Sequence, residues 1–364
     1  MKRMILTLTL LVSLTFACAQ TPPQSTPTVD PVFQASVAAP TSDTAYISFI
    51  INVHDWNHAD ESADILIKLV DLFEEYNIRG DFYFTAEVTR KLEEERPDVI
   101  ERFKNSNMII SYHIRPPHPL YAGFDSRLHN LNDEMLYQTL LDYETYALNL
   151  QTGELDRSQP GGYTYVAQVF GRNPIVAAVP NNNQRIKATA QKIYASLGAQ
   201  MTVLYHEEGA KIDNPFEYVN GLLARPSDFS VTRTTSIDGS DNFWWNFMSN
   251  PNADTYNPTA MLQNLIAEWE SRNNERAPFV TSLIHENNFY RSGAEAWSSI
   301  YFAMEKGKKA DPLAPPYDLT APDLSTLRSA EGQQAIFAAY EELVAYAAVH
   351  LIVVTSEEII EMAK

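Results

Sequence analysis

One cysteine stands in 364 residues, Cys18, and it lies close to the N-terminus. The chain beyond it has no disulfide and no thiolate to offer, so any metal there must be held by His, Asp or Glu. Basic residues are scarce too: 27 Lys and Arg face 46 Asp and Glu, a net charge of −19. A surface of that sign repels nucleic acid and anionic lipid, which argues against both as partners. Long apolar runs are missing apart from Met4–Phe16, which is short for a membrane span. No repeat, low-complexity run or second linker follows Ala45.

What is present begins with "MKRMILTLTLLVSLTFACAQ", a basic start at Lys2 and Arg3, an apolar stretch, and small residues at its end. This is the pattern of an export signal over residues 1–19. Two processing alternatives stand. Ala17 and Ala19 form an A-x-A site, or Cys18 becomes the lipidated first residue of a bacterial lipoprotein. A Pro/Thr-rich tether over 20–44 follows, and residues 45–364 form the expected folded domain. The expected location is therefore periplasmic or at the cell surface, with membrane contact only through such a lipid anchor.

From Ala45 onward, short β-branched runs alternate with longer helical patterns. The runs lie at 45–53, 81–86, 108–113, 174–179, 200–205, 229–234, 279–285 and 350–355. Helical spacing covers Ile65, Leu66, Leu69, Val70 and Phe73, and the stretches 87–104, 133–150, 185–197, 259–272 and 328–348. Thr355 and Glu358 have capping-box spacing. This alternation predicts an α/β fold, a distorted (β/α) barrel of about seven parallel strands in a single domain. Such folds build their sites at the C-terminal ends of the strands.

That rule sorts the histidines. His54, His113, His206 and His285 fall at or just past predicted strand ends, and His118 follows His113 through a short Arg-Pro-Pro loop. His58 and His129 read as loop residues, and His350 as the start of a strand at the opposite face. Polar groups beside a core are costly unless paired or metal-bound, so their convergence on one rim with Asp55 points to chemistry. Asp55, His113 and His118 supply one carboxylate and two imidazoles, a set suited to a divalent transition metal with open positions. Zn²⁺ suits it best, with Ni²⁺, Co²⁺ and Fe²⁺ as alternatives. Such an ion would activate a water for hydrolysis.

In order and type, these residues resemble the NodB-type polysaccharide deacetylases, carbohydrate esterase family four. The resemblance covers roughly residues 45–364. It implies a distorted barrel, an Asp-His-His metal site and a carbohydrate substrate losing N- or O-acetyl groups. Where the family has a base aspartate followed by a ligand aspartate, this chain has His54-Asp55. Asp55 matches the ligand, and His54 stands in the base position. "SYHIRPPHP" offers His113 and His118, five residues apart, one more than the family's usual spacing.

"SQPGGYTY" stands in the place of an oxyanion-forming run, with Tyr163 but without its arginine, for which Arg115 is a substitute. Its Gly161-Gly162 amides either serve an oxyanion or only make a turn. "SIDGSDNFWWNF" gives Asp238, Asp241 and Trp244, with Asp241 as the residue orienting the base. "FVTSLIHENNF" ends its strand in His285, the family's general acid, with Glu286 beside it. Trp56, Arg115, Tyr163, Trp244 and Glu286 are the expected substrate contacts. Two other readings remain. One is a glycoside hydrolase pairing Asp55 with Glu207, Glu208 or Asp241. The other is a catalytically degenerate barrel that binds glycan.

Overall fold

β1 (Tyr46–Val53) is buried along its whole length, because it has sheet partners on both edges and side-chain layers on both faces. Its even-numbered residues Tyr46 and Ile50 join an inner cluster with Tyr83, Val176, Ala178, Met201 and Leu223. Its odd-numbered residues Ile47, Phe49, Ile51 and Val53 pack with Leu66, Leu69, Val70 and Phe73 of the helix Ala59–Glu75. The period-2 alternation of a strand thus divides an inner face from a helix-covered outer one. Each fully buried aliphatic or aromatic side chain on that helix contributes about 1.5–3 kcal/mol.

The computed structural model describes residues 45–121, 123–203, 215–230, 256–272, 275–293, 297–306 and 308–364. The export signal, the tether and Cys18 lie outside them. After β1 come β2 (Asp81–Phe84), β3 (Ile109–His113), β4 (Val176–Ala178) and β5 (Met201–Val203). These are followed by β6 (Tyr218–Val219), β7 (Leu222–Ala224), β8 (Phe229–Ser230), β9 (Phe279–His285) and β10 (Ile352–Val353). The sheet order is β8-β9-β1-β2-β3-β4-β5-β7-β6, with β10 also on β1. Within this sheet the described pairings are parallel except β6 with β7. Among the described residues β8 and β6 do not meet, so the sheet curls into a half-barrel instead of closing.

The predicted strands appear, several of them shorter than their apolar runs. Among the strand pairs absent from the predicted runs, β6 and β7 turn through Asn220 and Gly221, both with positive φ, the backbone a tight hairpin requires. Pro97 divides the 87–104 helix into Ala86–Glu95 and Pro97–Lys104, taking the first helical position of the second. The 133–150 pattern ends as a helix at Tyr143, and Tyr146–Leu148 turns back as an edge strand on Leu155–Pro160. His350 ends the helix Ala330–His350 and does not open a strand. The Thr355–Glu358 capping box is present, with the Thr355 amide donating to the Glu358 carboxylate at 2.7 Å.

Candidate functional site

The register sets where the rim residues fall. Asn52 on β1 lies beside His285 on β9, and Phe84 on β2 lies beside Tyr112 on β3. The C-terminal ends of β9, β1, β2 and β3 are therefore level. His54 follows the end of β1 and keeps the inner-face direction. Its ring meets His285 edge-on, with centroids 4.6 Å apart, and lies 5.7 Å from His113 and 6.0 Å from Trp297. All three histidines are buried.

The hydrogen bonds fix a tautomer. His54 Nε2 lies 3.0 Å from His285 Nδ1, and His285 Nε2 lies 3.3 Å from the Arg115 guanidinium. Arginine only donates, so His285 accepts at Nε2 and its neutral form carries the proton on Nδ1. That proton is donated to His54 Nε2, which leaves the His54 proton on Nδ1. Burial, joined by the charges of His285, Arg115, His113 and Lys309, holds His54 well below the usual histidine range. Burial, with Arg115 and His285, does the same to His113. Both are neutral bases at pH 7.

Glu286 does not face a substrate as expected. It is fully buried, and its Oε1 accepts the backbone amides of His54 at 2.6 Å and Asp55 at 2.5 Å. Burial and the Asp55 charge push its carboxyl up to about 8, against the pull of those amides. It anchors the end of β1 to the end of β9.

The Asp55/His113/His118 metal set is not assembled. Asp55 turns away from the inner face. Its carboxylate accepts from the Asn57 amide at 3.2 Å, from His58 Nδ1 at 3.0 and 3.2 Å, and from the Tyr290 hydroxyl at 3.0 Å. His58 reaches Asp323 with its other nitrogen at 2.8 Å, and Asp323 pairs with Arg291 at 3.2 Å. Burial opposes a charge on His58, but the Asp55 hydrogen bond and charge outweigh it and raise its pKa.

His118, beyond a cis Pro116-Pro117 bond, turns to a different group. Its Nε2 lies 3.3 Å from Glu144 Oε1, and burial lowers it to about 4. Among the described residues, no three His, Cys, Asp or Glu side chains converge in a way that would hold an ion. The expected triad does not fit a metal in this arrangement. The reason is geometric: β1 ends before Asp55, and the Arg-Pro-Pro loop carries His118 to the helix side.

Glu144 gathers the third expected motif around itself. It accepts from the Tyr194 hydroxyl at 2.5 Å and from the Tyr163 amide at 3.0 Å, and burial raises it to about 7. The Gly-Gly turn is therefore a packing device. Gly162 has φ +52, and a Cβ there would lie 2.5 Å from Glu144 Cα. Tyr163 opens the helix Gly162–Phe170, is buried, and donates its hydroxyl to the Pro174 carbonyl at 2.8 Å. It lines no opening with His54. This short helix was hidden by the two glycines that begin it.

Trp56 is half-buried against a cap of Trp297, Tyr301, Phe302 and Tyr317, with its ring 6.3 Å from Tyr301. Part of that cap is the hairpin Phe302–Glu305 with Lys308–Pro312, which sets Lys309 Nζ 4.4 Å over the Trp297 ring. Trp297, Lys309, His58, Tyr290 and Glu144 were not singled out as site residues. Of these only His58, three residues after Asp55, offered a signal. Asp238, Asp241, Trp244, Trp245, His206, Glu207 and Glu208 lie outside the described residues.

No protein-family model matches the chain, and no curated protein does. Among solved structures, it is similar to peptidoglycan deacetylase PdaC from Bacillus subtilis. The identity is 10%, covering 88% of this chain and 93% of that one, with a TM-score of 0.38. It is also similar to BA3943, a CE4 family pseudoenzyme from Bacillus anthracis. There the identity is 10%, over 69% and 58% of the two chains, with a TM-score of 0.33. A third is the 4-alpha-glucanotransferase of Thermococcus litoralis, at 11% identity over 87% and 40%, with a TM-score of 0.43. The chain thus spans less than two thirds of the length of these last two.

Proposed function

We propose that this rim hydrolyses acyl groups, acetyl above all, from a carbohydrate outside the cell. The observation that carries the reading is the His54–His285 pair at 3.0 Å, with Arg115 on the outer nitrogen of His285. His285 Nε2 is the basic position. It takes a proton from water as the water attacks the acyl carbon, and Arg115 turns to the oxyanion that forms. The imidazolium keeps its Nδ1 proton on His54 Nε2, so His54 is the positioning residue. His285 then gives the captured proton to the departing sugar oxygen or nitrogen.

Support for a sugar comes from the half-buried Trp56 beside the aromatic cap, a surface on which a pyranose ring can stack. The order of the histidine motifs, like that of the deacetylases, agrees with it. The leader over residues 1–19 supports an exported location, where polymeric glycans are met. No step is assigned to a metal here, because Asp55 and His118, two of the three residues expected to hold one, are engaged elsewhere.

A second reading has its own observation. Asp55, the expected ligand, is closed off by His58 and Tyr290, as suits a barrel that binds glycan without turning it over. The experiment is to incubate the protein with acetylated xylo- and chito-oligosaccharides and follow acetate release and chain length by mass spectrometry. We expect acetate release that falls about 10²–10⁴-fold in His285→Ala. Binding with no release supports the second reading, and chain shortening without acetate loss would establish a glycosidase instead.

A further inference from the structure

Asn181, Asn182 and Asn183 follow β4 in succession, and the outer two have their side chains committed. Asn181 Oδ1 accepts the Asn183 amide at 2.8 Å, and its Nδ2 donates to the Leu120 carbonyl at 2.9 Å. The second bond ties the loop after β4 to the loop after β3. Asn183 Oδ1 accepts the amides of Arg185 and Ile186 and so caps the helix Gln184–Leu197. That leaves its Nδ2 facing His129 Nδ1 at 2.9 Å. An amide nitrogen only donates, so His129 accepts at Nδ1 and, when neutral, carries its proton on Nε2. Asn182 between them is exposed, and its side chain makes no hydrogen bond among the described residues.

The two loops border a cavity of about 170 Å³. Pro119, Leu128 and Ile186 give it apolar walls, and Tyr121, His129 and Asn182 bring polar ends to it. A cavity of about 150 Å³ receives one six-membered ring, so this one has room for a single sugar unit. Asp125 lines it too, but its carboxylate is taken up by the Arg127 amide and guanidinium and by the Tyr143 hydroxyl. The phenol, carboxamide and imidazole that remain offer donors and acceptors together, as sugar hydroxyls require. None of them is an anion or a fixed cation.

The cavity belongs to the same strand-end rim as the histidines. Ala178 on β4 lies beside His113 on β3, and Asn181 follows shortly after. From Arg115 the chain reaches Tyr121 through two turns, the His118 amide donating to the Arg115 carbonyl and the Tyr121 amide to the His118 carbonyl, each at 2.9 Å. Resting on the reading of the rim as a carbohydrate site, we propose that this cavity is a second subsite. It holds one uncharged pyranose unit of the glycan, at a distance along the glycan from the unit that loses its acyl group. Asn182 and the Tyr121 hydroxyl exchange hydrogen bonds with the sugar hydroxyls, and His129 Nε2 donates to one. Asn181 and Asn183 hold both walls in place beforehand, so little ordering is lost on binding.

The test measures affinity by calorimetry for acetylated xylo- and chito-oligosaccharides, from the disaccharide to the hexasaccharide. Asn182→Ala removes an exposed amide that supports nothing in the fold, and Tyr121→Phe keeps the ring and removes the hydroxyl. We expect the wild type to gain affinity in one step, at the length that reaches the cavity. Each variant should weaken ligands beyond that step about three- to tenfold, the worth of one hydrogen bond, and leave shorter ones unchanged. The His129 imidazole protons should shift in NMR spectra with the longer ligands alone. Affinity independent of length in the wild type, or a step that both variants leave intact, would overturn the inference while leaving a carbohydrate site standing. So would an equal loss at every length. Binding of no ligand overturns the reading of the rim itself.

Discussion

Glu286 holds the backbone of His54 from across a strand boundary: its Oε1 lies 2.6 Å from the His54 nitrogen, and the same oxygen takes the Asp55 amide at 2.5 Å. One buried oxygen thus fixes the two residues at which β1 stops. Glu286→Ala strands two buried N–H groups, each costing about 1–3 kcal/mol. Glu286→Gln keeps an acceptor oxygen in place and should cost clearly less. Urea denaturation of both variants decides this, and an equal loss in the two would show that the amide contacts contribute little.

The buried acids and imidazoles give stability opposite slopes in pH. His118, lowered to about 4 from 6.5, stays neutral when folded while the unfolded chain gains a proton. Its contribution is whole above pH 6.5 and declines as pH falls toward 4. Glu286, raised from 4.5 to about 8, holds its proton when folded while the unfolded chain loses one. Its contribution is whole below pH 4.5 and declines as pH rises toward 8. Between pH 6.5 and 8 the lowered histidines add no slope, so unfolding free energy should fall with pH. That fall should flatten in Glu286→Gln, and a limb of the same slope in both proteins would reject the assignment.

Gly162 and Gly171 both have positive φ, +52 and +68, but a Cβ meets different surroundings at each. At Gly162 it would press on Glu144 Cα at 2.5 Å and the Tyr143 carbonyl at 2.6 Å, whereas at Gly171 nothing lies within 4 Å. Gly171→Ala should therefore cost only the backbone preference, about 1–2 kcal/mol. Gly162→Ala adds displacement of Glu144, a buried acid bonded to Tyr194 and the Tyr163 amide, and should cost more than twice as much. Thermal unfolding of the pair tests the ordering.

Much of the framework was legible because it depends on local pattern. The β-branched runs gave β1, β2, β3 and β9, and the strand-end rule gave His54, His113 and His285, which do share a rim. What could not be read was direction. Asp55 follows His54 by a single residue, yet once the strand has ended only tertiary partners decide where it points. Here those partners are His58, Tyr290 and, through His58, Asp323. His118 was assigned by residue type and its place after His113, with a spacing one residue longer than the family's, but Glu144 and Tyr143 receive it. Glu144 itself sits just past the end of a helix, where nothing in the sequence marks it as buried. Lys309 reaches the site from a hairpin whose short strands alternate too weakly to be recognised.

The direction of Asp55 also makes the metal question testable. A carboxylate that accepts from His58 at 3.0 Å and from Tyr290 at 3.0 Å must give up both bonds to join His113 around an ion. His118 must likewise leave Glu144. We expect that, after dialysis against zinc and then buffer, wild type and Asp55→Asn/His113→Ala retain the same amount of metal by elemental analysis. The engaged geometry has a second signature. His58 should titrate above an ordinary histidine in the wild type, because burial is outweighed by its Asp55 hydrogen bond and charge. In Asp55→Asn that elevation should shrink, as read from its imidazole proton shifts by NMR. Near-stoichiometric metal that disappears in the double variant, with an unshifted His58, would overturn this arrangement and restore Asp55 as a ligand.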